Sequence, residues 1–259
     1  MNNKTTLSNI FVYSLSHALV DAACAAVVFA IVVSSRDTSQ NLFQLVVIYN
    51  VLAFSTQPVF GLWVDTFKVP AYSAAAGMLL VAASTLFLPV PLLAVSTAGI
   101  GNALFHVGGG AISLSLDSGK AALPGIYVAP GALGLMIGTL IGKGGHFIAL
   151  PFILLLVGVA VLVLRIPKPE ILAPRKLPGD LKWFETVILL LLLSVAIRSM
   201  VGLSLVLPWK SDSALLITLT SAVVLGKALG GILGDRFGWG TVAVTGLVIS
   251  APLLAFFAH

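Results

Sequence analysis

The sequence predicts an all-α membrane protein: a bundle of about nine transmembrane helices, six in one half and three in the start of a second. Three observations carry that expectation. Of 259 residues, 59% are apolar and only 9% charged, with a mean hydropathy of +1.10, far from the composition of a water-soluble domain. The apolar residues gather into nine runs of the length a bilayer core demands, roughly 20 residues per helix. Finally, the pentad GLWVD, Gly61 to Asp65, returns 170 residues later as GILGD, Gly231 to Asp235.

The runs occupy about 10–34, 42–64, 70–89, 91–116, 121–142, 146–165, 184–208, 213–234 and 239–258. Only Pro89 and Pro91 divide the third from the fourth. Strands of a membrane barrel would be ~10 residues long with strict alternation; these runs are longer and apolar on every face, which selects helices. The first run is too long for a signal-peptide core and carries His17 and Asp21 within it, so a cleaved leader is not expected. The lone Cys24 leaves no internal disulfide and reads as a small packing residue.

Charge sets the expected topology. With the N-terminus inside, the inner segments hold Lys4, Lys68, Lys120, Arg165, Lys168, Arg175, Lys176, Lys182 and Arg236, and the outer loops only Arg36, Lys143 and Lys210. The excess of basic residues on one side predicts a cytoplasmic N-terminus. It also accounts for the net charge of +5, so no nucleic-acid partner is called for.

The longest polar stretch, Ile166 to Trp183, is rich in proline and mixed charge, which suits an exposed cytoplasmic linker. It divides the chain into an N-terminal six-helix half (1–165), the linker (166–183) and the first three helices of a C-terminal half (184–259). Register supports the division. LSHALVDAACAAVV from Leu15 and LSVAIRSMVGLSLV from Leu193 are offset by 178, against 170 for the pentads, and the loop SSRDTSQN absorbs the difference of eight. A six-plus-six design would owe three more spans after His259.

The pentads sit where the major facilitator superfamily of secondary transporters carries its signature, G-x-x-x-D-R/K-x-G-R/K, and the chain resembles that superfamily. Gly231, Asp235, Arg236 and Gly238 fit the signature well. The first copy keeps Gly61 and Asp65 but has Thr66 and Phe67 where a basic residue and a glycine are expected, with Lys68 next. These are the expected gating residues. Glycine lets helices approach closely, and an aspartate at a helix C-terminus opposes the dipole there. Such an aspartate needs a partner, either a basic residue or the N-terminus of a neighbouring helix, in a contact that alternating access can make and break.

Three segments are similar to the fosmidomycin-resistance branch of exporters in that superfamily: LSHALVDAA around His17 and Asp21, GIGNALFHVGGGA around His106, and AIRSMVGLSLVLPW around Arg198. A proline usually follows the fourth-span histidine in that branch; here it is Val107. The run GIYVAPGALG resembles the antiporter motif g-x-x-x-G-P-x-x-G-G through Gly125, Pro130 and Gly134, with Ala129 and Leu133 in place of two glycines. The proline removes a helix hydrogen bond and the glycines permit bending or tight packing.

Intramembrane ionisable groups are the expected chemistry, because a mid-bilayer charge costs at least ~2.5 kcal/mol and faces a cavity or a partner. His17 and Asp21, four apart, share one helix face. At ~1.5 Å per residue from Ile10, Asp21 lies roughly 16 Å deep and Arg198 roughly 21 Å into the seventh span. The resemblance implies that spans one, four and seven line a central cavity, so that His17, Asp21, His106 and Arg198 converge as a proton- and substrate-coupling set, with Asp21 pairing Arg198 when ionised. Lys227, about two turns above Asp235, reads as a lysine whose ammonium reaches the cytoplasmic interface.

Other chemistries fit less well. Histidine and carboxylate are zinc ligands, but no HExxH or paired HxxxH pattern occurs, so no metal and no enzyme is expected. The glycines at 108–110 lack the Gly-Lys-Ser/Thr pattern of a nucleotide loop, and no cofactor is expected. The resemblance implies a proton-coupled exporter of a small organic molecule in a bacterial inner membrane, its partners being substrate, protons and lipid. The alternatives are a proton-coupled nutrient importer and a non-transporting membrane module.

Overall fold

A computed structural model describes residues 3–34, 39–145, 147–170 and 212–257, together with Thr186, Leu189, Leu190, Leu193 and Ile197. The described residues are all-helical, with no strand: α1 (Asn3–Ser34), α2 (Ser39–Asn50), a π-helical turn (Val51–Ser55), α3 (Gln57–Phe67), α4 (Pro70–Ser84), α5 (Pro91–Leu116), α6 (Ala122–Lys143), α7 (Ala149–Arg165), α8 (Ser213–Phe237) and α9 (Trp239–Phe257). Five stretches are long and apolar enough to cross a membrane: Lys4–Ser34, Leu42–Phe67, Pro91–Leu116, Ala122–Lys143 and Ala214–Phe237. Pro70–Ser84, Ala149–Arg165 and Trp239–Leu253 are shorter apolar helices. The expected seventh run, 184–208, lies for the most part outside the described residues, as does the linker beyond residue 170.

Two of the expected runs are shaped by proline. The second is interrupted: Pro58 has no N–H and its ring would strike the Phe54 carbonyl one turn earlier. The chain answers with the wider π turn, which ends at Ser55, and restarts as α3 with Pro58 in its first turn. The third run stops at Ser84 rather than 89. Tight turns then carry the chain to Pro91, through bonds such as Phe87 N–H to the Ser84 carbonyl (3.1 Å) and Val90 N–H to Phe87 (2.8 Å).

The interior mixes bulky apolar side chains such as Tyr13, Phe105 and Met78 with small and polar ones: Ala22, Ala23, Ala26, Ala74 and Ala75 are buried beside Asn9, Ser16, Ser73 and Asn102. The exterior is bulky and apolar, with Phe43, Leu62, Leu154 and Leu247 all more than 60% exposed. Water would penalise such a surface, whereas lipid solvates it and leaves close packing and interhelical hydrogen bonds to hold the helices.

Glycine supplies the close packing. α1 and α6 run parallel: a Cβ at Gly134, Gly138 or Gly142 would meet the carbonyls of Ala18, Ala22 and Ala26 in turn. α4 and α5 run antiparallel, with Gly77 against Gly101 and Phe105, and Gly108 against Pro70 and Ala74. The Ser73 hydroxyl crosses that seam to the Leu104 carbonyl at 2.9 Å. α8 then lies antiparallel on the far side of α6, with Gly125 against Lys227 and Gly231, and Gly231 against Ala121. α1 also touches α4, α5 and α7, so its mid-section is enclosed on several sides. Near its N-terminus the Asn9 amide donates to the Pro167 carbonyl at 2.7 Å, which ties the start of the expected linker to α1.

Candidate functional site

Mid-way along α1, helical periodicity stacks His17 one turn from Asp21, and α5 brings His106 against the same carboxyl group. His17 Nε2 lies 3.3 Å from Asp21 Oδ2, and His106 Nε2 lies 3.3 Å from Asp21 Oδ1. Each imidazole therefore takes a different carboxylate oxygen. The two rings stand perpendicular with centroids 4.6 Å apart, and Tyr127 of α6 closes the other side of His17 at 4.7 Å. The His17 side chain is 4% exposed, Asp21 20% and His106 22%. The His17 ring is sealed in protein, while Asp21 and His106 each keep about a fifth of their side-chain surface accessible.

Two small residues make room for the cluster. A Cβ at Gly131 would run into Asp21 Oδ2 and the His17 ring, and one at Gly109 would run into the Tyr127 hydroxyl. His17 Nδ1 and the Tyr127 hydroxyl are buried with no hydrogen-bond partner among the described residues, which is costly in an apolar interior. Arg198, the expected fourth member, lies outside the described residues; among those residues the ionic contacts of Asp21 are to the two histidines.

The proline of α6 has a resolved consequence. Pro130 leaves the Ile126 carbonyl without its intrahelical amide, and the Ser14 hydroxyl of α1 donates to that carbonyl at 3.4 Å. Intramembrane helix breaks are tolerated when a neighbouring side chain re-satisfies the backbone in this way. Gly134 packs on Ala18 and Gly125 on α8, so the antiporter-like segment is the strip of α6 that meets both neighbours.

Lys227 is the residue that sequence reasoning placed differently. Its ammonium does not run to the end of α8; it donates to the Val128 carbonyl of α6 at 3.3 Å. The signal was present, since a lysine inside an apolar span marks a functional position by default. The length of its side chain allowed either course, and packing of α8 on α6 settled it.

At one end of the bundle the second pentad makes a clamp. Asp235, near the C-terminus of α8, accepts from the Ala121 amide at 2.7 Å through one oxygen and from the Ala122 amide at 2.8 Å through the other. These are leading amides of α6, whose own N-cap residue, Ala121, offers no side-chain acceptor. The carboxylate of one helix thus caps another, satisfying orphan donors and the positive end of the dipole together. Trp239 Nε1 adds a bond to Oδ1 at 3.3 Å, and Arg236 lies over the Phe237 ring at 5.3 Å. Beside the clamp, Lys120 pairs with Asp117 at 2.9 Å, and that carboxylate raises the lysine above its ordinary value.

The first pentad does not mirror this. Asp65 is exposed and has no partner among the described residues, and a Cβ at Gly61 would meet nothing within 4 Å. The alignment of the two copies also needs a correction. Counted from the aspartates, Lys68 (65 + 3) is the counterpart of Gly238 (235 + 3), where Phe67 was expected to be. Both positions have positive φ, 54° at Lys68 and 90° at Gly238, but Lys68 is left-handed helical (ψ 45°) and Gly238 is not (ψ 134°), so the two copies end their helices differently. The Lys68 N–H closes α3 on the Val64 carbonyl.

Fold and site together define an all-α protein with helices fit to cross a bilayer and an ionisable cluster in its interior. Compared with models of known protein families and with curated proteins, the chain gives no match.

Proposed function

We propose that the chain is a secondary active transporter of the major-facilitator type, with about nine spans and a cytoplasmic N-terminus in a bacterial inner membrane. It would export a small organic molecule in exchange for protons. The observation that carries this reading is a carboxylate bracketed by two histidines inside an apolar bundle. A buried aspartate needs compensation when ionised, and two imidazoles at 3.3 Å can share or surrender a proton to it. The trio thus gives an arriving proton a choice of adjoining sites, which suits a coupling group.

Supporting the same reading, the Asp235 cap links α8, beyond the expected linker, to α6, before it. A contact made of two backbone amides and one carboxylate forms and breaks as a unit. Protonation of Asp21 would loosen its hold on His17 and His106, shift how α1 sits on α5 and α6, and so bias the equilibrium between clamped and open forms. Asp21→Asn is the decisive variant. In inverted vesicles energised by a pH gradient, wild-type protein is expected to move a fluorescent amphiphile such as ethidium, or another member of a small drug panel, with matching proton flux. The variant is expected to lose the pH-driven component by at least about tenfold while still reaching the membrane. Unchanged pH-driven flux in Asp21→Asn would overturn the proposal.

A further inference from the structure

The donor set of the interior cluster points to a ligand other than the proton. We propose that His17, Asp21 and His106 form a binding site for a divalent transition-metal ion of the Zn2+ type. The inference goes beyond the transport reading and shares only its three side chains.

Two imidazoles and one carboxylate are the protein ligands of an open-position zinc site. Zinc bonds of ~2.0–2.1 Å in a tetrahedron put neighbouring ligand atoms ~3.3–3.4 Å apart. His17 Nε2 lies 3.3 Å from Asp21 Oδ2 and His106 Nε2 lies 3.3 Å from Asp21 Oδ1, so with either oxygen as the ligand atom one edge already has the tetrahedral length. All three ligand atoms lie within 4.8 Å of one another, so the longest edge closes to the tetrahedral value by a modest turn of His106, the more exposed ring. No sequence motif reports this set, because one ligand comes from α5, 85 residues beyond Asp21.

Ligation needs the Nε2 lone pair of both rings and an ionised carboxylate. Ligation leaves the His17 ring proton on Nδ1, a buried atom without a hydrogen-bond partner among the described residues. Any further proton held by the trio leaves to water as the ion enters. Among the described residues, the groups around the cluster include Phe105, packed on both histidine rings, Tyr127, beside His17, and Lys227, whose positive charge opposes a cation but whose ammonium is tied to the Val128 carbonyl. Asp21 and His106 keep about a fifth of their side-chain surface accessible, and an ion with its remaining water ligand would approach from that side.

Purified full-length protein in detergent, titrated with Co2+, should show the intense visible bands of a tetrahedral ion, bleached by Zn2+ at one equivalent, with protons released into a weakly buffered indicator. His17→Gln, His106→Gln and Asp21→Asn should each weaken binding by at least about tenfold. A double His146→Gln, His259→Gln variant, which leaves the trio intact, should bind as the parent does, and circular dichroism should report equal helicity in all variants. Binding that survives loss of either trio histidine, or no Co2+ signature in the folded parent, overturns the inference. The transport proposal stands or falls separately, on pH-driven flux in Asp21→Asn measured with chelator present.

Discussion

Asp21 and its two histidines form the candidate site, and glycines make the room that Asp21, His17 and the adjoining Tyr127 occupy. Gly131 lies under the carboxylate and Gly109 admits the Tyr127 hydroxyl. The same scale decides a smaller matter at Lys68. A left-handed backbone costs a residue with a Cβ about 1–2 kcal/mol, and glycine far less. Lys68→Gly is expected to stabilise the protein by about 1 kcal/mol, raising its melting temperature by about 2–4 °C for a chain of this size. Thermal unfolding in detergent checks it; a fall would mean that the lysine side chain holds contacts worth more than the strain. His17, Asp21 and His106 were legible as residues because ionisable groups in apolar runs are rare. The i, i+4 spacing paired His17 with Asp21, but nothing local paired either with His106.

Among elements, the seam between α1 and α6 is the one on which the site depends, since α1 carries two of its members and α6 its floor. Three glycines face three alanines along it, so backbone meets backbone and a single methyl has nowhere to go. Gly138→Ala would drive a Cβ into the Ala22 carbonyl and is expected to cost about 1–3 kcal/mol, seen as a lower melting temperature. Gly158→Ala on α7, where a Cβ would meet nothing within 4 Å, should be neutral or slightly stabilising. Equal effects at the two positions would sink the seam argument. Helix limits were readable wherever proline opened them, at Pro70 and Pro91. The π turn before Pro58 was not, because composition reports that a proline disturbs a helix and not how the helix absorbs it.

For the whole molecule, the Asp235 clamp joins segments 114 residues apart and is the contact most suited to report a change of state. Asp235→Ala removes both acceptors from the leading amides of α6. Hydrogen exchange at Ala121 and Ala122 should then accelerate at least about tenfold, whereas Asp235→Asn, which keeps one acceptor oxygen, should fall between. Protection that persists in Asp235→Ala would show that the clamp is not what orders this end. By itself the sequence determined the all-helical class, most of the helix limits, the residues suited to intramembrane chemistry and the recurrence of the pentad, because each is written in composition or spacing within one segment. Tertiary structure decided which copy of the pentad engages a partner, where Lys227 reaches and that His106 meets Asp21. Those are distances between helices, fixed by which small residues let two backbones approach, and no single segment contains that information.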